Sequence, residues 1–333
     1  MKDISKNFVR HITIDEAVAG QRVDNFLRKY LKGVPSSHIY RIVRGGEVRI
    51  NGARIQPSTH LMLGDIVRIP PLRLPARLDN DTGKPSAMKL SVLRKAAALP
   101  VVFEDAHLLA IDKPAGLAAH GGSGISFGVI EQLRAQRPDL RFLELAHRLD
   151  RETSGVLLLA KKRSALTALH TIWREGDIEK HYDVLVRGAW RDAKRRVSVP
   201  LTRYLNAQGE RRVRVDDDDG QSALTVFYRR QVWKRLSPSL SLLDAELRTG
   251  RTHQIRVHLT HLGFPLAGDT KYGDFAWNRE LAAQGLNRMF LHARELSFEH
   301  PHSGEMLTIT AELPITLSSF VAHLDECEEK EKR

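Results

Sequence analysis

The N-terminal part of the chain combines two helical patterns with a strand-like one. Across residues 23–31 the apolar side chains recur at the spacing of one helix face: Val23, Phe26, Leu27, Tyr30 and Leu31. A second helix is predicted after Ser36-Ser37, where either serine can cap it, and it is predicted to end at Gly45-Gly46. An alternating segment then ends at Asn51-Gly52, which is typical of a tight hairpin turn. These patterns predict a small α/β module over residues 20–70.

Two segments around this module lack a sustained pattern. Residues 1–19 show no periodicity and are predicted to form a flexible arm. Residues 71–98 follow a Pro70-Pro71 pair and contain further prolines at 75 and 85. Proline-rich composition of this kind favours a semi-extended linker, so the modules on its two sides are expected to move independently.

Residues 99–323 alternate between strand-like and helix-like patterns without a regular βαβ order. Strand patterns occupy residues 101–116, 181–190, 223–233 and 240–250, and helical patterns occupy residues 127–138 and 164–176. Groups of neighbouring strands separated by helices are typical of α+β domains. We therefore predict a mostly antiparallel mixed sheet flanked by helices and loops, followed by a charged tail over residues 324–333.

The charge of the chain favours a polyanionic partner. It has 52 lysines and arginines against 40 acidic residues, a formal charge of +12 and an isoelectric point near 9.9. Residues 20–70 carry nine basic and three acidic residues, and the basic ones include five candidates for contact with a polyanion: Arg28, Lys29, Lys32, Arg41 and Arg44. An ordinary solvated surface is the alternative interpretation of this charge.

A membrane partner is disfavoured by the pattern. No apolar run approaches the roughly 18 residues of a spanning helix, and the N-terminus lacks the apolar region of a signal peptide. The single cysteine, Cys327, excludes an intramolecular disulfide and a cysteine-based metal cage. A cytoplasmic protein that binds nucleic acid is the expectation.

The segment "HRLDRETSGVLLLAKK" places Asp150 between Arg148 and Arg151, on a turn that precedes an apolar strand. Asp150 either caps this turn with backbone hydrogen bonds or serves as a reactive carboxylate. A second segment, "LRTGRTHQIRVHLTHLG", places Arg251 on a glycine turn and Arg256 on a helix predicted to begin with Thr252 as its N-cap. A guanidinium buried in a site needs a carboxylate, for which Asp150 is the candidate.

Other candidate positions have a structural alternative. Period-two alternation puts Lys180 and Tyr182 on one face of a strand and His181 on the other, so the tyrosine either packs in the core or faces a site. The loop "HGGSG", which starts at His120, is rich in glycine but matches no nucleotide-binding fingerprint. The triplet His253, His258 and His261 has spacings of five and three, which do not share one helix face, so a metal site is disfavoured.

Five ordered blocks resemble the RluA family of pseudouridine synthases. They are "DKPAG" (112–116), "HRLDRETSG" (147–155), "KHYDVLVRG" (180–188), "TGRTHQIRVHLTHLGFPLAGDTKYG" (249–273) and "FLHARELSFEHPHSGE" (290–305). The N-terminal module resembles the S4 RNA-binding domain. Further similarity is to the RluC branch, which acts on uridines of 23S ribosomal RNA, while a sister branch with S4 modules and other 23S targets stays open.

The resemblance implies a pseudouridine synthase fold and roles for single residues. Asp150 matches the catalytic aspartate, Tyr182 the tyrosine that stacks on the target base, and Arg256 the arginine that pairs with the aspartate. The implied substrate-binding candidates are Arg148, Arg251, Leu291, Lys180 and His120. The implied partner is 23S rRNA or its assembly intermediates, bound by a monomer without cofactor, metal or nucleotide. The alternatives are a catalytically silent assembly factor and a base-excising hydrolase.

Overall fold

The N-terminal module packs two helices against a small sheet. The computed structural model describes residues 9–15, 18–31, 33–72, 93–94, 96–121 and 127–332. The module's elements are β1 (Arg10–Thr13), α1 (Val23–Tyr30), α2 (Ser36–Arg44), β2 (Arg49–Ile50), β3 (Ala53–Arg54) and β4 (Ile66–Ile69). Its sheet has the order β1-β4-β2-β3 and is antiparallel. The predicted face of α1 is confirmed for Val23, Phe26, Leu27 and Leu31, which are buried, whereas Tyr30 is exposed. The N-cap of α2 is Pro35 rather than Ser36 or Ser37.

The flexible arm predicted over residues 1–19 is partly wrong. Residues 10–13 form β1, which pairs antiparallel with β4, and Ile14 is buried in the module's core. A four-residue edge strand is too short to show periodicity, and its pairing partner lies more than fifty residues away. Residues 1–8 lie outside the described residues.

The C-terminal module contains a long mixed sheet. Its strands are β5 (Val101–Glu104), β6 (Leu108–Lys113), β7 (Glu144–Leu145), β8 (Ser154–Ala160), β9 (Ile178–Arg187), β10 (Lys194–Ser198), β13 (Leu224–Trp233), β14 (Leu240–Leu247), β15 (Leu291–Glu299) and β16 (Met306–Thr310). The strand order is β10-β13-β14-β9-β15-β8-β6-β5, with β16 paired to β15 and β7 paired to β8. The β8–β15 pair is parallel, whereas the neighbouring pairs described here are antiparallel. The predicted α+β class is confirmed.

Helices and a hairpin surround this sheet. The helices are α3 (Val129–Gln136), α4 (Arg163–Glu175), α5 (Gln254–His261), α6 (Phe275–Ala283) and α7 (Ile315–Lys330). A separate two-stranded hairpin consists of β11 (Leu201–Leu205) and β12 (Arg211–Val215). No helix in the described ranges has the length and apolar character required to cross a bilayer.

Two predicted boundaries differ from the structure. The linker was predicted to continue to residue 98, but Leu93 is buried and the Gln136 side chain donates to the Ala96 carbonyl (2.8 Å). The tail predicted from residue 324 is the end of α7, where Leu324 is buried and Trp233 Nε1 donates to Asp325 Oδ1 (2.8 Å). The acidic residues of this segment predict solvent exposure, yet Asp325 accepts a hydrogen bond from the buried Trp233.

The centre of the sheet depends on a glycine. Each residue of β8 is buried, and Gly155 near its start has a φ of 111°. A Cβ atom at Gly155 would lie 2.1 Å from the carbonyl oxygen of Ala293 in β15. Only glycine allows the two strands to approach this closely. This contact brings the loop before β8 beside the start of β15.

Candidate active site

A cavity of about 1100 Å³ opens beside the point where β8 and β15 pair. Its walls come from the loop before β8, from β9, from the turn before α5, from α4 and from the β11–β12 hairpin. The predicted site residues on this wall are Asp150, Tyr182, Arg256, Arg148, Arg251, Leu291, Lys180 and His120. The cavity therefore contains the predicted catalytic and substrate-binding side chains of the C-terminal module.

Asp150 lies on the loop between β7 and β8, as the strand pattern predicted. The Thr153 backbone N–H donates to the Asp150 carbonyl oxygen (3.1 Å) and closes the turn. The side chain of Asp150 is 29% exposed, and its Oδ2 accepts a hydrogen bond from Arg256 Nη1 (3.1 Å). The turn is thus closed by backbone, and the carboxylate remains available to the cavity.

Arg256 is buried and contacts two carboxylates. Its Nε and Nη2 donate to both oxygens of Asp269 at 2.7 Å, while its Nη1 donates to Asp150. Burial acts to lower the pKa of Arg256, but the hydrogen bonds and charges of Asp269 and Asp150 outweigh burial and raise it. The guanidinium therefore stays charged beside Asp150.

Asp269 was missed by the sequence analysis. It is fully buried and also accepts hydrogen bonds from the backbone N–H groups of Lys271 (2.8 Å) and Tyr272 (3.0 Å). Burial acts to raise its pKa, yet the Arg256 hydrogen bond and charge hold that pKa below the usual value. The prediction pairs Arg256 with Asp150. In the structure Asp269 is the bidentate partner of Arg256, and Asp150 contacts its third nitrogen, Nη1.

The start of α5 differs from the prediction. The helix begins at Gln254, and its N-cap is His253 in a left-handed conformation, with a φ of 53°, rather than Thr252. The Gln254 side chain replaces a capping threonine, because its Oε1 accepts from the Arg251 N–H (3.0 Å) and from Thr249 Oγ1 (2.7 Å). The turn is closed by a residue inside the helix, which the capping pattern does not describe.

Tyr182 and Lys180 both face the cavity from β9, which confirms the period-two prediction. Burial and the charge of Asp150 raise the pKa of Tyr182, so its hydroxyl keeps its proton at neutral pH. Within the described residues, that hydroxyl has no protein hydrogen-bond partner. Burial lowers the pKa of Lys180 to about 8. On the opposite face of β9, His181 Nδ1 lies 3.0 Å from Asp244.

Comparison with known proteins identifies the family. Residues 107–261 match the RNA pseudouridylate synthase family, and residues 21–67 match the S4 domain. The Escherichia coli K12 protein "Ribosomal large subunit pseudouridine synthase C" is 51% identical over 302 residues, which cover 90% of this chain and 91% of that protein. The Haemophilus influenzae Rd protein of the same name is 47% identical over 325 residues, 97% of each chain. This chain belongs to the RluA-type pseudouridine synthases.

A solved structure agrees with the fold of this family. The structure of "Human RNA Pseudouridylate Synthase Domain Containing 4" superposes with a TM-score of 0.57 and 24% identity, covering 72% of this chain and 97% of that one. At this identity the match supports the fold alone. The pseudouridine synthase fold and the N-terminal S4 domain are therefore confirmed, and the chain is an isomerase of RNA uridines.

The histidines of the synthase's "RTHQIRVHLTH" segment lie apart. His258 is buried near the Val199 carbonyl (3.3 Å), and burial lowers its pKa to about 4. His253 contacts Asp150 instead, with Nε2 at 3.7 Å from Oδ2. In the described part of the chain, no three histidine, cysteine or acidic side chains form a group that could hold a metal ion.

The candidate RNA-binding residues of the S4 domain lie on and around its two helices. Arg28 Nη2 donates to the Tyr40 hydroxyl (3.0 Å), and the Arg44 guanidinium lies 5.8 Å from the Tyr40 ring centroid. Arg41 contacts His38, and Lys29 Nζ lies 3.9 Å from Glu144 of the C-terminal module. Lys32 lies outside the described residues.

A buried lysine supports the Asp150 loop. Lys113 Nζ donates to the carbonyl oxygens of Pro114 (2.8 Å), Leu117 (2.8 Å) and Arg151 (3.1 Å), and burial lowers its pKa to about 7. These contacts give the lysine of the "DKPAG" block a structural role. Through Arg151, the lysine joins β6 to the residue that follows Asp150.

We expect Lys113→Met to lower the free energy of unfolding by about 2–3 kcal/mol, because the loop loses three hydrogen bonds from a buried amine. Equilibrium urea unfolding measured by tryptophan fluorescence tests this, since the four tryptophans all lie in the C-terminal module. Lys234→Met, at an exposed position, is the control. Equal unfolding midpoints for the two variants would contradict the supporting role of Lys113.

Proposed function

We propose that this protein converts specific uridines of the large-subunit ribosomal RNA, 23S rRNA, to pseudouridine, with Asp150 as the essential group. The observation that carries the proposal is the carboxylate of Asp150, held by the buried Arg256 in a cavity that Tyr182 also lines. The near-50% identity to curated proteins named for the large ribosomal subunit supports the choice of RNA. We expect a monomer that acts in the cytoplasm and uses no nucleotide cofactor.

The reaction is an isomerisation that balances without a co-reactant. The N1–C1′ bond breaks, the uracil turns, C5 bonds to C1′, and a proton leaves C5 while N1 gains one. An ionised carboxylate assists either as a nucleophile or as an acceptor of a ribose proton, and both roles need its charge. Arg256 places a positive charge beside this carboxylate by donating from Nη1 to Oδ2.

The target nucleotide has to leave its stack to reach Asp150. Eversion costs a few kcal/mol, and stacking on an aromatic side chain returns about 1–3 kcal/mol. Tyr182 offers an aromatic ring in the cavity, and Leu291 offers an apolar surface at the start of β15. Arginines of the cavity rim contribute phosphate contacts, and they include Arg148, Arg203, Arg211 and Arg251.

Pseudouridine mapping of 23S rRNA tests this function. In cells that lack the protein, specific pseudouridines are expected to disappear, and the purified protein is expected to restore them in the isolated RNA. Free uracil as the product would identify a base-excising hydrolase instead. Binding without any conversion would identify a silent assembly factor. Comparing the lost positions with those modified by each branch decides between the RluC branch and the sister branch.

A prediction concerns the S4 domain, whose Arg41 and Arg44 are exposed. We expect the double variant Arg41→Ala/Arg44→Ala to bind RNA more weakly and to have a salt slope of binding smaller by about 1.4, since each lost contact to single-stranded phosphate removes about 0.7. The single-turnover rate at saturating RNA stays unchanged. Filter binding from 50 to 200 mM salt measures the RNA affinity and its salt slope. The control is Arg279→Ala, at an exposed position in α6. An unchanged slope would contradict phosphate contacts by these residues.

A further inference from the structure

A series of polar contacts joins the β11–β12 hairpin to Asp150. The Val213 backbone N–H in β12 donates to the Tyr272 hydroxyl oxygen (2.9 Å). That oxygen lies 2.8 Å from His253 Nδ1, and His253 Nε2 lies 3.7 Å from Asp150 Oδ2. Asp150 Oδ2 thus faces two side chains, the guanidinium of Arg256 and the imidazole of His253.

The direction of these hydrogen bonds follows from their donors. The Tyr272 oxygen accepts from a backbone N–H, so the phenol proton needs an acceptor of its own. Among the described residues, His253 Nδ1 is the acceptor within reach. A neutral imidazole that accepts at Nδ1 carries its proton on Nε2, which is the nitrogen that faces Asp150.

The surroundings of His253 favour the neutral ring. Burial, the largest influence, lowers its pKa, and the charges of Arg256 and Lys271 act in the same direction. Asp150 and Asp269 oppose this shift without reversing it. At neutral pH the group facing Asp150 is therefore an uncharged N–H donor rather than a second cation.

The backbone holds His253 in an uncommon conformation. Its φ of 53° is in the left-handed region, which residues other than glycine adopt only when the surroundings hold them there. Its ring is 13% exposed and packs edge-on against Tyr272, with the centroids 5.4 Å apart. The strained backbone directs the imidazole between Tyr272 and Asp150.

The β11–β12 hairpin also contacts the residue before His253 and the residue before Tyr272. Arg203 in β11 donates to Thr252 Oγ1 (2.7 Å), one residue before His253. Arg212 in β12 donates to the Lys271 carbonyl oxygen, one residue before Tyr272. Since Arg203 and Arg211 also line the cavity, RNA that touches the hairpin touches the element that anchors Tyr272.

We propose that His253 is a positioning residue for Asp150, and that the hairpin, through Tyr272, selects the imidazole tautomer that directs Nε2–H to the carboxylate. This inference rests on the proposed function, because the carboxylate that the β11–β12 hairpin orients through Tyr272 and His253 is the one that reacts. RNA bound against the hairpin therefore acts on Asp150 through Tyr272 and His253.

The tautomer is measured directly by ¹⁵N NMR of the full-length protein with labelled histidine. The His253 signals are assigned by their absence in His253→Asn, because asparagine tolerates the left-handed backbone best among residues with a side chain. We expect an unprotonated Nδ1 in the wild type and a mixed tautomer in Tyr272→Phe. A protonated Nδ1 in the wild type would overturn the assignment.

Kinetics test the consequence for Asp150. Tyr272→Phe and His253→Asn are each expected to reduce kcat for tritium release from RNA labelled at uracil C5 about tenfold with KM unchanged, because the imidazole no longer directs Nε2–H toward the carboxylate. The double variant is expected to be no slower than His253→Asn. Tyr228→Phe, which loses a 2.9 Å phenol hydrogen bond to Glu246 outside the cavity wall, is the matched control.

Rescue separates positioning from packing. His253→Gln restores an amide N–H near the place of Nε2 and is expected to recover most of kcat, although glutamine does not replace the ring contact with Tyr272. A raised KM with unchanged kcat in Tyr272→Phe, or additive losses in the double variant, would overturn the proposal. If the wild type releases no tritium, the proposed function fails, whereas the NMR result still decides whether the hydrogen bonds run as inferred.

Discussion

Asp150→Asn is expected to abolish tritium release from RNA labelled at uracil C5, while the fold and RNA affinity stay close to those of the wild type. The asparagine still accepts a hydrogen bond from Arg256, but it has no negative charge to offer the ribose. The fold persists because Asp150 is 29% exposed and because Arg256 keeps its two bonds to Asp269. Single-turnover assays and filter binding measure the two effects.

Glu152→Gln is the matched control for this variant. Glu152 lies on the same loop, is 41% exposed and pairs with Arg151 rather than with Arg256. It loses the same unit of negative charge without touching the cavity wall. Turnover near the wild-type rate is expected for Glu152→Gln, and substantial residual turnover in Asp150→Asn would refute the assignment.

Asp269→Asn is expected to cause the second large effect, on stability as well as on turnover. Removing this charge leaves a buried guanidinium without its bidentate partner, which costs about 3–5 kcal/mol when a buried ion pair is broken. The freed Arg256 also no longer holds a single orientation toward Asp150. We expect a lower urea midpoint by tryptophan fluorescence and at least a hundredfold lower kcat, on the order of the loss of one positioned charge.

The two aspartates provide controls for each other. Both contact Arg256, yet Asp269 is fully buried and Asp150 lies at the cavity. Asp150→Asn should therefore lose activity at nearly constant stability, whereas Asp269→Asn should lose both. An Asp269→Asn protein as stable as the wild type would show that the buried pair is not what holds Arg256.

Local patterns were sufficient for the features that depend on neighbours in the sequence. The apolar run of β8 located Asp150 at the mouth of a strand, and period two on β9 placed Lys180 and Tyr182 on the cavity face. Each of these inferences uses residues within ten positions of one another. Local periodicity predicts well which face of a strand or helix a side chain lies on.

The remaining features depend on contacts between distant segments. Asp269 is 13 residues from Arg256, and Asp150 is 106 residues from it, so no local pattern indicates how the guanidinium divides its donors. The pairing of β1 with β4 is invisible for the same reason. Asp325 and Glu328 in α7 accept hydrogen bonds from Trp233 and Lys234. Their charge is typical of solvent-exposed residues, so the sequence pattern did not indicate these contacts.

The close approach at Gly155 restricts how the chamber can move during turnover. The strand that emerges from the Asp150 loop and the strand that starts at Leu291 meet there, backbone against backbone. Because the two backbones touch there, β8 and β15 move together at this point, and the Asp150 loop and Leu291 keep their spacing on the cavity wall. An alanine at position 155 would force the two strands apart, because its Cβ atom would lie 2.1 Å from the Ala293 carbonyl oxygen, and it would widen the cavity wall between Asp150 and Leu291.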